Sequence, residues 1–125
     1  MKNIKKAGIW MDHSKAFVME LVSDTIFESI VTSEITHIGE VNLNKSEKMR
    51  NIKEQHEQSS FYKNLSEIIR NYQDIVLFGP TQAKDELLNI LNLNHLFDSI
   101  KIKVVNSDKM SGIEMHKFVK EYFKK

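Results

Sequence analysis

An α/β domain with a mixed sheet is predicted by three features of this sequence. Three short apolar segments rich in β-branched residues open the chain, separated by very short polar breaks. A compact apolar run ends at Gly79-Pro80. Around and beyond that run, helical periodicities of three and four residues alternate with strand patterns of period two. At 125 residues the chain fits one domain, spanning 1–125, that can bury a core without metals or disulfides.

The first strands are expected over Ala7 to Met11, Lys15 to Val22 and Thr25 to Ser33. Asp12-His13-Ser14 and Ser23-Asp24 are too short to make anything but antiparallel connections, so the three segments form a meander. In the second strand Phe17, Met19 and Leu21 share one face, and Ala16, Val18 and Glu20 the other. Glu34 to Lys45 shows no clean period and reads as a loop. A helical pattern follows, weak at Met49, Ile52 and His56 and clear at Phe61, Leu65, Ile68, Ile69 and Tyr72.

Ile75-Val76-Leu77-Phe78 is continuous enough for a central strand covered on both faces. Pro80 then suits the first turn of a helix that carries Ala83, Leu87, Leu88 and Leu91 inward. Ile100, Ile102 and Val104 alternate with Lys101 and Lys103, the pattern of a half-exposed strand near an edge, protected by its lysines. Ser111-Gly112-Ile113-Glu114 has capping-box spacing, and Met115, Phe118, Val119 and Tyr122 supply the buried stripe of a last helix. The order is βββ-α-β-α-β-α. With right-handed crossovers it closes as a mixed sheet with helices on both faces, the arrangement of the ribonuclease H-like fold.

Composition narrows the function. Eighteen basic against 17 acidic side chains leave a formal charge of +1, so there is no global positive field, and nucleic-acid binding needs a local patch. The absence of cysteine excludes thiolate catalysis, disulfides and cysteine-type zinc sites. The apolar run after Lys2, Lys5 and Lys6 is cut short by Asp12 and His13, too early for a signal peptide or membrane span. A soluble cytoplasmic protein without a membrane partner is expected.

Metal-dependent nucleic-acid cleavage needs carboxylates converging on two divalent ions. Asp12 after the first strand, Glu54 or Glu57 on the long helix, and Asp108 after the last strand are the candidates. The central strand ends in Gly79-Pro80 rather than a carboxylate, so the set is incomplete. An aspartate before a turn more commonly just closes the turn. His13, His37, His56, His95 and His116 are dispersed, with no His-x-x-x-His pair to seat a metal on one helical face. Gly79-Pro80-Thr81 offers too few glycines for a phosphate cradle, and structural punctuation is its ordinary role. No metal or other cofactor is expected.

Lys45, Lys48, Arg50 and Lys53, with His56 one turn further, form the local concentration of positive charge next to the loop, where they can grip phosphates. Glu47, Glu54 and Glu57 interleave with them, as on a solvated mixed-charge helix.

Phe61-Tyr62-Lys63, Ile75 to Pro80 with Lys84 and Leu87, Asp108-Lys109-Met110, and Phe118 to Phe123 give the chain a resemblance to a known family. They resemble small bacterial release-factor-like proteins of the translational machinery. Those proteins look like a free-standing middle domain of archaeo-eukaryotic peptide-chain release factor and of the rescue factor Pelota. In the release factor a Gly-Gly-Gln loop promotes peptidyl-tRNA hydrolysis. The corresponding stretch here, Glu34 to Gln58, has no such motif, and neither Gln55 nor Gln58 follows a glycine. The resemblance therefore implies a Pelota-like, non-hydrolytic role. That role is a non-enzymatic accessory to translation whose partner is the ribosome, structured RNA or a ribosome-associated protein. A ribonuclease H-like nuclease using Asp12, Glu54 and Asp108, or a homodimeric interaction module, is the alternative expectation.

Overall fold

A computed structural model describes residues 4–32 and 60–124. Its strands are β1 (Lys6–Met11), β2 (Lys15–Val22), β3 (Thr25–Thr32), β4 (Asp74–Gly79) and β5 (Lys101–Asn106). They form one sheet in the order β3-β2-β1-β4-β5. The helices are α1, helical over 60–69 of the described residues, α2 (Ala83–Asn92) and α3 (Gly112–Tyr122), with a short 3-10 turn at His95–Phe97. The expected order and mixed sheet are both present.

The meander follows from its turns. In the β2–β3 hairpin Val22 pairs with Thr25, leaving Ser23-Asp24 as a two-residue loop. Ser23 takes φ 56°, the positive value that a tight hairpin turn asks of its first central residue. Between β1 and β2 the Asp12 carboxylate accepts from the Ser14 and Lys15 amides at 2.8 and 2.9 Å, closing the turn locally. β1 then pairs parallel with β4, and β4 parallel with β5, with Leu77 opposite Ile9 on one side and Val104 on the other. This central place explains why Ile75 to Phe78 are all fully buried.

Alternation along the strands divides the core into two layers. Ala7, Ile9, Met11, Ala16, Val18, Ile75 and Leu77 pack under α1 and α2, together with Phe61, Leu65, Ile69, Leu87 and Leu91. Each fully buried Leu, Ile or Phe of that kind contributes about 1.5–3 kcal/mol. On the opposite face Trp10, Met19, Leu21 and Phe78 pack under Met115 and Val119 of α3. A Cβ at Gly8 would lie 2.4 Å from Val119 Cγ2, so the missing side chain at Gly8 lets α3 settle on β1. The Ser111 capping box is present in full: its hydroxyl accepts from the Glu114 amide, and the Glu114 carboxylate accepts from the Ser111 amide at 2.8 Å.

Three local expectations are corrected. Pro80 does not open α2, which starts at Ala83. Gly79 leaves the strand with φ 146°, and Pro80, Thr81 and Gln82 are spent reversing the chain before the Thr81 hydroxyl accepts from the Ala83 amide. Leu88 is only half-buried, and the position sealed into the core instead is Lys84, 1% exposed. Tyr72 keeps the period of α1 but lies beyond its end, where the Asn71 and Tyr72 amides donate back to Ile68 and Ile69 in tighter three-residue turns.

Candidate functional site

The basic cluster Lys45, Lys48, Arg50, Lys53 and His56 lies outside the described residues, as do Glu54, Gln55 and Gln58. Of the carboxylates named for a nuclease, Asp12 and Asp108 are described. Asp12 follows β1, and its Oδ1 accepts from the Ser14 amide and hydroxyl and from the Lys15 amide. Asp108 is exposed in the segment between β5 and α3. Among the described residues no group of three or more His, Cys, Asp or Glu side chains is arranged to hold a metal ion.

Polar side chains gather where β1 and β4 end. At that edge Gly79 passes so close to β1 that a Cβ would meet the Met11 carbonyl oxygen at 2.3 Å. Lys84, one residue into α2, threads its aliphatic stem through the core, and its Nζ donates to the Thr81 carbonyl. Asp85 Oδ2 lies 3.8 Å from the same ammonium. The lysine thereby ties the first turn of α2 to the chain reversal before it.

Beside it, Tyr62 of α1 donates its hydroxyl to Glu86 of α2 at 2.6 Å, and His13 Nε2 stands 3.3 Å from the same carboxylate oxygen. Burial and the Glu86 carboxylate raise the Tyr62 phenol well above its ordinary range. The Tyr62 hydrogen bond, and then His13, hold Glu86 below the usual carboxylate value. A carboxylate kept ionised, fed by a phenol kept protonated, is a structural tie between α1, α2 and the β1–β2 turn. It places no nucleophile against a base.

Two clefts open on the α3 side of the sheet. One, of about 340 Å³, lies between the β1–β2 turn and the start of α3, with Asp12, Lys15, Glu28 and Lys109 among its polar lining. Glu28 is already engaged by His116 Nε2 at 2.6 Å, and Asp12 by its own turn. Asp108 does not line this cleft. The second, of about 590 Å³, runs between the second half of α3 and the β2–β3 hairpin. Lys6, Lys117, Lys120 and Lys124 line it, and Asp24 and Glu121 are the acidic groups on its walls.

Sequence reasoning missed Lys84 and this second cleft. The first entered only as part of the family resemblance, with no sign of its burial. For the second, the spacing of Ile113, Lys117 and Lys120 marks one helical face, with Lys124 following just past the helix end. The contribution of Lys6 depends on tertiary structure. Among the described residues no helix is long and apolar enough to cross a membrane.

No protein-family model matches this sequence, and no curated protein matches it either. Solved structures do. Pelota from Archaeoglobus fulgidus, described as revealing inter-domain structural plasticity, superposes with a TM-score of 0.63 at 11% identity, over 98% of this chain and 32% of that one. Pelota from Thermoplasma acidophilum superposes with a TM-score of 0.60 at 15% identity, over 92% of this chain and 31% of that one. The chain spans about a third of the length of these two proteins. At such identities the likeness is one of fold, and the five-stranded sheet with helices on both faces is an architecture that this chain shares with a segment of archaeal Pelota.

Proposed function

We propose that this protein is a cytoplasmic, non-enzymatic accessory of translation that binds the ribosome or structured RNA. The observation that carries the reading is the superposition on Pelota over 98% of the chain. It is supported by the resemblance of Ile75 to Pro80, Lys84 and the C-terminal segment to release-factor-like proteins, and by the lack of Gly-Gly-Gln between Glu34 and Gln58. The missing Gly-Gly-Gln motif favours binding over peptidyl-tRNA cleavage. Lys45, Lys48, Arg50, Lys53 and His56 are assigned to phosphate contact because they concentrate positive charge within a short stretch of an otherwise balanced sequence.

Cosedimentation with purified ribosomes at low and moderate salt tests the reading. The parent is expected in the pellet, and Lys48→Ala/Arg50→Ala/Lys53→Ala should bind more weakly, with a log-log salt slope shallower by about one unit per lost contact. A parent protein that stays in the supernatant at every salt concentration ends the proposal.

A further inference from the structure

We infer that the groove between α3 and the β2–β3 hairpin is a second phosphate track, one that grips an RNA backbone without reading its bases. The inference rests on the RNA-binding reading above but uses a different surface. Ile113, Lys117 and Lys120 fall at intervals of four and three residues, so they share one face of α3, and Lys124 lines the same groove from the turn just past the helix end. The rise from Lys117 to Lys120 is about 4.5 Å, and Lys124 continues the row of ammonium groups along the groove wall. β1 adds Lys6 from the facing side, its Nζ 5.7 Å from the centre of the Phe123 ring. Leu21 and Phe123 give the groove an apolar floor, and Ile113, 83% exposed, extends it towards the start of α3.

Among the described residues the charge is lopsided. Lys101, Lys103, Lys109, Lys117, Lys120 and Lys124 are exposed along β5, α3 and the segments beside them, against the exposed carboxylates Asp108, Glu114 and Glu121 of the same stretch. On the opposite side, α2 exposes Asp85 and Glu86 while its one lysine is buried. A polyanion is therefore drawn to the α3 side. Asp24 and Glu121 sit on the groove walls and weaken the attraction without reversing it, since four ammonium groups face two carboxylates. Among the described lining residues there is no Arg, Asn or Gln with a planar fork to fix paired hydrogen bonds to base edges, and the lysines act on phosphate as mobile point charges. Lysines over an apolar floor hold phosphates and tolerate any base, so binding should be indifferent to sequence.

The experiment is fluorescence anisotropy with a labelled single-stranded RNA of mixed sequence between 50 and 200 mM salt. It compares the parent, Lys117→Gln/Lys120→Gln/Lys124→Gln, and a control, Lys63→Gln/Arg70→Gln, on the α1 side. Thermal melts verify that each variant is folded. Each phosphate contact to a single strand contributes a slope of about 0.7, so the triple variant should be shallower by about 2 units and the control by less than half of that. A second RNA of different sequence should bind the parent equally. If the parent binds and the triple variant matches it in affinity and slope, the groove is not the track, while the RNA-binding reading survives through other residues. Polyglutamate that displaces the RNA at equal charge concentration would reassign the groove to acidic polypeptides and overturn the inference. Failure of the parent to bind either RNA or ribosomes defeats both.

Discussion

Gly79→Ala tests the corner on which the β4–α2 connection is built. Two costs act at once. At φ 146° an L-residue occupies backbone space that is almost exclusively glycine's, which costs about 1–3 kcal/mol. The new methyl would also lie 2.3 Å from the Met11 carbonyl oxygen, a backbone atom of the neighbouring strand that cannot rotate aside. Relief requires β4 to draw away from β1 at the middle of the sheet, where Trp10 pairs with Phe78. We expect a loss of about 3 kcal/mol or more, the sum of backbone strain and overpacking. For a chain of this size, about 4 °C per kcal/mol gives a fall in Tm of about 12 °C. Gly112→Ala is the internal control, because no atom lies within 4 Å of its added methyl and the residue opens α3. That change should be neutral or slightly stabilising. Calorimetric melts of the two variants beside the parent decide it. Equal Tm values for Gly79→Ala and Gly112→Ala would refute the assignment of Gly79 as the structural corner.

Substitutions at three other positions bear on the packing and the polar ties. Lys84→Ala should cost about 2–4 kcal/mol, since it empties a fully buried position, whereas Lys84→Met keeps the stem and should cost less than half as much. Urea midpoints that fall equally for both would assign the lysine's role to its ammonium group alone. Ser111→Ala removes one arm of the α3 capping box, with about 1 kcal/mol expected in the same assay and no change in helix content at low denaturant. Tyr72, pushed up to about 12 by burial and by its hydrogen bond to Glu20, remains protonated in the folded chain at pH values where the unfolded chain has ionised. The folded state then binds more protons, so this stabilisation is complete below pH 10 and is lost as pH rises towards 12. Tyr72→Phe should flatten the alkaline decline in urea midpoint relative to the parent, and an unchanged decline would contradict the linkage.

Much of the fold was legible because local pattern and global position agree. The alternation of β2 assigns Met19 to the α3 layer and Val18 to the α1 layer, as the two core clusters do. The unbroken apolar run of β4 follows from its place between β1 and β5, and the capping box marks the start of α3 to the residue. What escaped depends on tertiary contact. Lys84 carries a charge that reads as exposure, yet its long stem and the nearby Thr81 carbonyl let it be buried. The α2 start moved because the φ of Gly79 costs residues in the reversal, which no propensity records. Tyr72 matched a helical period but is buried by the chain turning under it. For the candidate site, the local lysine cluster from Lys45 to Lys53 was visible as a charge run. The α3 groove was not, because Lys6 joins the α3 lysines only after β1 takes its place in the sheet.

The central claim, association with ribosomes or structured RNA, is tested most directly by recovering the tagged protein from lysate with and without ribonuclease treatment. The account predicts ribosomal RNA and ribosomal proteins in the untreated sample, at low salt, and their loss after ribonuclease. Recovery of the same protein partner in both samples with no RNA in either, or recovery of the bait alone, would contradict it.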